Sequence, residues 1–315
     1  MEFGKLPNVD HVDWTLPPDD PVSSRFLERL SASTLPRLFF GAPLWGSKKW
    51  VGRTYPPDAK PANYLRHYAN TYTTIELNTS HYRIPSQEQV RKWRDQVPKD
   101  FQFCSKIHQS ISHERVGLQD RDALKVWHSY AEGLGENGGP SFLQLPPYFD
   151  YSDKALLFAF LRQWPEEHRL ALEFRHPSWF DESNPGRILP ALTEYLQSKK
   201  IGLVITDVAG RRDVLHTSIS AEFSMLRFIG NDLHPSDESR AEAWAGRFAQ
   251  WFERGLKTEY LFIHEPEDDG TPEMTEVFLK KLREKVKKTK TFELYEPVAL
   301  EMNPHQMDFL SGGQS

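Results

Sequence analysis

A short apolar run in the middle of the chain ends in side chains that can carry charge. Residues 170–180 read LALEFRHPSWF, in which the run leads into Glu173, Arg175 and His176 before Pro177 interrupts it. Because side chains alternate between the two faces of a strand, Glu173 and Arg175 share one face and His176 lies on the other. Opposite charges on a buried face are costly unless they pair or bind a ligand. The stretch therefore predicts a strand that ends at the rim of an active site.

Polar side chains also end most of the other apolar runs, and alternation places Glu76 and Asn78 on one face of theirs. Parallel strands would bring these ends to one edge, where apolar neighbours strengthen electrostatic interactions. We expect a catalytic set that consists of Glu76, Lys106, Glu173 and Asp207. We expect the substrate to contact Asn78, Tyr82, Gln144, Arg175, Trp179, Arg227 and His264. Trp45, Trp50, Tyr55, Tyr82 and Trp179 could stack on a sugar or a base. Each residue has a structural alternative, since arginines also neutralise buried glutamates and loop aromatics also pack into lids.

Two other chemistries are open to the same residue types. A divalent metal would use the carboxylates together with His108, His176 and His264. No HxH or HExxH spacing supports this, and Arg175 and Lys106 would repel a cation, so we favour no cofactor and assign no metal ligand. Lys106 could form a Schiff base if its pKa were lowered, but lysines in such surroundings more often pair with a carboxylate.

Eight apolar runs alternate with helical patterns along the chain. The runs span 38–42, 73–77, 101–107, 140–145, 170–174, 201–206, 223–229 and 259–263. Seven helical patterns fill the gaps, one of them opened by a capping box of Ser86 and Gln89, whereas Asp207 to Phe223 leaves little room for a helix. This alternation predicts an α/β fold, a single (β/α)8 TIM-type barrel with an irregular connection between its sixth and seventh strands. A doubly wound sheet is the alternative, but no Gly-rich phosphate loop follows any strand.

Composition limits the organisation and the partners of the protein. We predict an N-terminal arm at 1–37, the barrel domain at 38–290 and a C-terminal extension at 291–315. A net charge of −5 and a pI near 6.2 provide no general basic field for nucleic acid. The single cysteine, Cys104, excludes an intrachain disulfide and suits a reducing compartment. No signal-peptide pattern or membrane-spanning apolar run occurs, so we expect a cytoplasmic protein without a membrane partner.

Five motifs lie along the chain at 41–56 (GAPLWGSKKWVGRTYP), 64–83 (YLRHYANTYTTIELNTSHYR), 106–113 (KIHQSISH), 144–147 (QLPP) and 173–179 (EFRHPSW). Together they resemble the domain of unknown function 72 family, the YecE-like proteins. The similarity runs from about residue 41 to about residue 282. It implies a TIM-barrel fold, implies no established reaction, and adds His113 to the substrate-binding candidates. The chain differs from the family pattern at Ile229, which replaces a histidine, and at His264 and Glu265, which replace two asparagines.

Three functions remain open from the sequence. The leading hypothesis is an enzyme, a hydrolase, lyase or isomerase, that acts on a small anionic or polyhydroxylated substrate by carboxylate acid/base chemistry. In it, Lys106 and the two arginines hold the anionic ligand, and Glu76 or Glu173 moves a proton. The alternatives are a nucleic-acid-binding protein or endonuclease-IV-like phosphodiesterase, suggested by fold analogy alone and disfavoured by the charge, and a non-catalytic ligand-binding barrel.

Overall fold

Strands and helices alternate throughout this computed structural model, which describes residues 4–30, 35–114 and 116–289. The strands are β1 Arg37–Gly41, β2 Thr74–Leu77, β3 Gln102–Ser105, β4 Ser141–Gln144, β5 Leu170–Glu173, β6 Gly202–Asp207, β7 Phe223–Ile229 and β8 Thr258–His264. The α-helices are α1 Pro21–Arg29, α2 Tyr64–Ala69, α3 Thr79–Tyr82, α4 Gln87–Arg94, α5 Gln109–Ser112, α6 Arg121–Gly133, α7 Lys154–Gln163, α8 Pro190–Ser198, α9 Pro235–Glu253 and α10 Thr271–Thr289. The eight predicted strands are confirmed, and the predicted extension at 291–315 lies outside the described residues.

The strands form two parallel sheets and not one continuous sheet. Six strands pair in the order β1-β8-β7-β6-β5-β4, and β2 pairs with β3. The α/β class is therefore confirmed, but a closed eight-stranded barrel is not. Among the described residues, β3 meets β4 through the isolated bridges Phe103–Gly138 and Lys106–Phe142 and not through a continuous ladder.

The strands bury both of their faces. One face forms an interior cluster that draws on seven strands and consists of Phe39, Cys104, Phe142, Ala171, Val204, Ala221, Phe223, Met225, Tyr260 and Phe262. The other face packs against the helices in a larger outer cluster. The alternation predicted for 170–176 is confirmed, because Ala171 lies in the interior cluster whereas Leu172 and Phe174 lie in the outer one. Each strand thus presents every second side chain to a shared interior.

Local sequence signals explain where several helices begin. The Ser86 hydroxyl accepts a hydrogen bond from the Gln89 amide at 3.2 Å and caps α4, as predicted. Between β6 and β7 the chain forms only a 3₁₀ segment, Ala209–Val214, which confirms the predicted irregular connection. The four-residue helices α3 and α5 were not predicted, because a single turn carries too few residues to show a helical period.

The N-terminal arm packs against the segment that connects β6 with β7. The Thr217 hydroxyl donates to the Pro18 carbonyl at 2.7 Å, and the Ile219 amide donates to the Ser23 hydroxyl at 2.7 Å. Farther upstream, the Gly210 amide donates to the Gly4 carbonyl at 2.8 Å. These contacts bring the first described residues to the carboxyl end of β6. In the part of the chain that the structure describes, no helix has the length and apolarity to span a membrane.

Candidate active site at the carboxyl ends of the strands

A layer of polar side chains lies directly above the interior cluster. The residues two positions after the interior side chains Cys104, Phe142, Ala171, Met225 and Phe262 are Lys106, Gln144, Glu173, Arg227 and His264. Because alternate residues of a strand share a face, these five side chains continue the same inner face toward the carboxyl ends. Together with Glu76, Asn78 and Arg175 they form what we call the polar cluster. The sequence pattern that builds the core therefore also positions the site.

Arg227 of β7 joins two buried carboxylates that come from different sheets. Its Nε and Nη2 donate to Glu76 Oε2 and Oε1 at 2.9 and 3.0 Å, a bidentate pair. Its Nη1 donates to Glu173 Oε2 at 3.2 Å. Both carboxylates are essentially inaccessible to solvent. The guanidinium thus ties the end of β2 to the end of β5 across the interior.

Glu173 receives further donors from its neighbours. Arg175 Nε donates to Glu173 Oε1 at 2.7 Å, so the two side chains share one face, as strand alternation predicted, and they pair with each other. Gln144 Nε2 donates to Glu173 Oε2 at 2.7 Å, and the other end of that amide accepts from Lys106 Nζ at 2.7 Å. The Gln144 amide therefore forms a hydrogen-bonded bridge between the Lys106 ammonium and the Glu173 carboxylate.

Glu76 is held just as closely on the opposite side of Arg227. Asn78 Nδ2 donates to Glu76 Oε1 at 2.9 Å, as their shared face predicted. His264 Nε2 lies 2.9 Å from Glu76 Oε2, and since an ionised carboxylate only accepts, the ring nitrogen carries the hydrogen. With two bonds from Arg227, Glu76 accepts four hydrogen bonds from the described residues.

Both carboxylates are ionised at neutral pH. Burial alone would raise the pKa of Glu173, but Arg175 and then Arg227 lower it to about 2. For Glu76 burial is likewise outweighed, first by Arg227 and then by His264, and the pKa lies well below its usual value. The carboxylates in turn raise the pKa of Arg227. This part of the cluster is a fixed set of opposite charges.

Lys106 is the cation whose charge these carboxylates do not directly offset. Burial, and then the nearby Arg227, lower the pKa of Lys106 to about 8. Its ammonium donates to the neutral amide of Gln144, and among the described residues it forms no salt bridge. At pH 7 the cluster therefore holds three cationic side chains against two carboxylates.

A cavity of about 370 Å³ opens beside the polar cluster. Its wall includes Arg175, Arg227 and His264 from the cluster, and Gly4 and Lys5 from the N-terminal arm. A larger cavity, of about 540 Å³, lies at the opposite ends of the strands, near Leu170 and Phe223, and none of the cluster residues lines it. Substrate chemistry needs the charged groups, so the smaller cavity is the candidate site despite its size.

Asp207 does not belong to the polar cluster, and its expected place there needs correction. Within β6 it is Thr206 that aligns with Arg227 and lines the cavity, whereas Asp207 aligns with Phe228 on the outer face. Its carboxylate accepts from Trp244 Nε1 at 2.7 Å and pairs with Arg240 and Arg212. The prediction that Asp207 faces the cavity was wrong by one residue, because Thr206 is the residue of β6 that points there.

Tyr82 and Trp179, the aromatic residues among the expected substrate contacts, differ in their surroundings. Trp179 is buried, packs against Phe149 and Phe174, and donates from its indole Nε1 to the Phe149 carbonyl at 2.8 Å. It cannot present its ring to a substrate, so the expected substrate contact needs correction. Tyr82, at the end of α3, is 70% exposed, and its ring meets the edge of His81. Its ring remains accessible, and its role stays a prediction.

His113 lies next to the polar cluster without a direct hydrogen bond to it among the described residues. Its ring packs edge-on against His81, with centroids 4.8 Å apart, and its Nδ1 lies 2.8 Å from the Ser112 hydroxyl. Burial and then the charge of Lys106 lower the pKa of His113 to about 4, so the ring is neutral at pH 7. A neutral imidazole at this point can donate or accept a hydrogen bond.

Sequence reasoning missed three charged residues of the cavity wall, Lys5, Glu265 and Glu267. Lys5 lies in an arm whose sequence carries no signal of a site. Glu265 directly follows His264, and its only signal was its place after a strand end. The described residues contain no group of three or more His, Cys, Asp or Glu side chains that could hold a metal ion.

Comparison with known proteins identifies relatives whose descriptions name no reaction. The family described as "Protein of unknown function DUF72" matches residues 39–297. The UPF0759 protein YecE of Escherichia coli (strain K12) is 29% identical over 264 residues, which is 78% of this chain and 93% of YecE. The UPF0759 protein YunF of Bacillus subtilis (strain 168) is 31% identical over 156 residues, 45% of this chain and 52% of YunF.

Two solved structures of the same family share the fold. A DUF72 family protein from Enterococcus faecalis V583 superposes with a TM-score of 0.62 at 16% identity, covering 79% of this chain and 98% of its own. One from Thermotoga maritima MSB8 gives 0.59 at 21% identity, covering 78% of this chain and 99% of its own. The architecture is therefore TIM-barrel-like, and the chemistry must be argued from the residues of this chain.

Proposed function

This chain belongs to the DUF72 family, and we propose that it is an enzyme acting on a small anionic, polyhydroxylated substrate at the polar cluster. One observation carries the proposal. Among the described residues, Lys106, Arg175 and Arg227 converge with the carboxylates of Glu76 and Glu173 beside a cavity of about 370 Å³, whose wall adds Lys5, Glu265 and Glu267. A buried set with surplus positive charge gains stability when an anion enters it. The proposed ligand is therefore a small molecule that carries a phosphate or carboxylate group.

Hydroxyl groups on the substrate would also find partners in this site. Asn78, Gln144 and His264 each carry polar atoms at the rim of the cluster, and Thr206 lines the cavity. Amide, hydroxyl and imidazole groups suit hydroxyl groups, whereas the lysine and the arginines suit an anionic group. A polyhydroxylated anion would therefore match the two kinds of partner at once.

We propose Lys106 as the group of the cluster that moves a proton. A pKa of about 8 lets it gain and lose a proton near neutral pH, which is what an acid/base catalyst needs. Glu173, with a pKa of about 2, is a weak base, and the pKa of Glu76 also lies well below its usual value. In this proposal the two carboxylates orient the arginines and keep them charged. The reaction would be an isomerisation, elimination or hydrolysis next to the anionic group.

The two sheets together would supply the rigid wall that such a site needs. We propose that they close into one barrel, supported by hydrogen bonds at both seams. The Thr73 amide donates to the Phe40 carbonyl at 3.0 Å, and the Ile107 amide donates to the Phe142 carbonyl at 2.9 Å. We also propose a cytoplasmic location, supported by the buried free thiol of Cys104.

A substrate panel tests the proposed function directly. Purified protein would be incubated with phosphorylated and carboxylated sugars, and product formation would be followed by proton NMR. We expect at least one compound to be converted, and Lys106→Met to lose conversion by 100-fold or more, on the order of a lost acid/base catalyst. The matched control is Lys257→Met, at the opposite end of β8, which should convert the compound normally. Equal turnover by Lys106→Met and wild type would overturn the assignment.

A further inference from the structure

We propose that Glu265 is a further catalytic residue, the group that donates a proton to a substrate held in the cavity beside the polar cluster. This inference rests on the proposed function, because it assigns a second proton carrier to the same site. Glu265 directly follows β8, one residue after His264, and it lines the cavity together with Arg175 and Arg227. It is only 5% exposed, so its carboxyl is part of the cavity wall and not of the outer surface.

Backbone donors hold one oxygen of this carboxyl. Glu265 Oε2 accepts from the Asp232 amide at 2.9 Å and from the Leu233 amide at 3.4 Å. Oε1, in contrast, is buried and has no hydrogen-bond partner among the described residues. A proton on the carboxyl therefore belongs on Oε1, since Oε2 is occupied as an acceptor. A buried polar atom without a partner is costly, and a substrate oxygen would remove that cost.

The backbone around Glu265 is shaped to hold it in this position. Asp232 and Leu233, whose amides meet Oε2, have φ angles of +62° and +56°, a region that residues other than glycine seldom adopt. Gly230 lies on the other side, where a Cβ atom would come within 2.0 Å of Oε1. A side chain at position 230 would therefore displace the Glu265 carboxyl from this position. Unfavourable backbone geometry that serves one side chain is typical of functional sites.

Burial and the surrounding charges bring the pKa of the Glu265 carboxyl close to neutral pH. Burial, and then the charge of Asp237, raise its pKa to about 7, while the two backbone amides and Arg240 act in the opposite direction. The charged or titratable groups that face it or share its cavity are Lys5, Arg175, Arg227, Asp232, Asp237, Arg240, His264 and Glu267. Both signs occur among them, so they do not force the carboxyl to ionise.

The proposed step transfers one proton. The O–H bond at Glu265 Oε1 breaks as a new O–H bond forms on a substrate oxygen, and the carboxylate left behind regains a proton from water. In the same turnover Lys106, in its neutral form, would take up the proton that the substrate loses and later release it to water. A site with two carriers near neutral pH can therefore serve as acid and base at once.

The first test measures the protonation of Glu265 without any substrate. The protein would be labelled with ¹³C at glutamate side-chain carboxyls and titrated by NMR, with Glu265→Gln used to assign the signal. We expect a carboxyl that titrates near pH 7 in wild type and is missing in the variant. The variant Glu259→Gln removes the other glutamate with a raised pKa and serves as an assignment control. A Glu265 signal that titrates near pH 4.5 would overturn the inference.

The second test uses sulfate, which keeps its charge over this pH range, as the probe at constant ionic strength. Ionisation of Glu265 between pH 6 and pH 8 should weaken sulfate binding by about tenfold in wild type, because a new negative charge faces the anion. Glu265→Gln should remove most of that loss. Equal pH dependence in wild type and variant would contradict the placement of Glu265 in the anion cavity.

Kinetics on a converted panel compound complete the test. Glu265→Gln should lower kcat by about 100-fold with little change in KM, and should remove the fall in rate above pH 7. Glu222→Gln, an exposed carboxylate at the opposite end of the sheet, is the matched control. If sulfate binds through Lys106 but Glu265→Gln keeps its kcat, only this inference fails. If sulfate does not bind at all, the proposed function fails with it.

Discussion

Two networks of buried carboxylates and arginines lie within one strand of each other, and only one of them borders the candidate cavity. The polar cluster occupies the inner face at the strand ends. The second network, which we call the closed network, lies on the outer face of β6 and comprises Asp207, Arg212, Asp237, Arg240 and Trp244. Both contain charged residues at or near the ends of strands. Their differences therefore show what distinguishes a candidate ligand site from a structural network.

The closed network is balanced and covered. Two aspartates meet two arginines, and Arg240 Nη1 donates to Asp237 Oδ1 at 3.0 Å. The Arg240 guanidinium lies between the rings of Trp14 and Phe228, 4.3 and 4.2 Å from their centroids. It is 1% exposed, and Trp14 comes from the N-terminal arm. This network fastens the arm and α9 to the sheet.

The polar cluster differs in charge and in access. It contains Lys106 in addition to its two carboxylate–arginine pairs, and two of its arginines line a cavity. A buried ion pair is therefore weak grounds for assigning function, because both networks contain one. The polar cluster differs from the closed network because it has a surplus cation and borders a cavity. Both features depend on the direction of the side chains and not on the residue types.

The largest expected effect tests whether both networks stabilise the fold. Arg227→Met and Arg240→Met should each lower the free energy of unfolding by about 3–5 kcal/mol, because each leaves buried carboxylates without their main cation. Urea unfolding at pH 7 measures the loss. Sulfate should raise the melting temperature of Arg240→Met as it does for wild type, but not that of Arg227→Met. Equal sulfate responses in the two variants would erase the distinction between the networks.

The comparison also shows what the sequence could and could not predict. Alternation within one strand placed Glu173 beside Arg175 and Glu76 beside Asn78, since a period of two applies within a strand. Alternation failed at the end of β6, where Thr206 faces the cavity and Asp207 faces α9. The sequence alone does not show which of the last two residues of a strand points toward the interior. A slip of one residue reverses the face.

Loop residues were harder still. Trp179 was expected at the mouth, but it packs against Phe149 and Phe174 because the chain turns back over the outer cluster. Glu265 joins the site only because the β7–α9 loop, through Asp232 and Leu233, aims its amides at the carboxyl. Such long-range placements depend on tertiary packing, and no spacing in the sequence encodes them. The short β2 and β3 likewise gave no sign that strand pairing would divide into two sheets.

A smaller effect contrasts carboxylates with and without a cation. Glu259 of β8 is buried beside the Ser224 hydroxyl, and burial raises its pKa to about 8. Since the unfolded chain releases this proton near pH 4.5, Glu259 costs increasing stability as the pH rises from about 4.5 to 8. Glu173, with its pKa lowered to about 2, instead contributes stability above about pH 4.5, and this is lost as the pH falls toward 2.

Urea unfolding of two variants measures these opposite slopes. Glu259→Gln should gain about 1–3 kcal/mol over wild type at pH 8 and little at pH 5, the order of a few pKa units. Glu173→Gln should lose stability at pH 7, and the loss should shrink as the pH approaches 2. The exposed Glu222→Gln should follow wild type throughout. The contrast would be wrong if Glu259→Gln and Glu173→Gln shifted stability with the same pH dependence.

The most direct test of the central claim is the affinity of the protein for sulfate, measured by calorimetry at pH 6.5 and constant ionic strength. The claim is that the surplus cation of the polar cluster makes it an anion site. Wild type and Lys257→Met should bind sulfate with the same affinity, and Lys106→Met should bind it at least about tenfold more weakly, a difference of about 1.4 kcal/mol. Undiminished binding by Lys106→Met, or no binding by wild type, would contradict the claim.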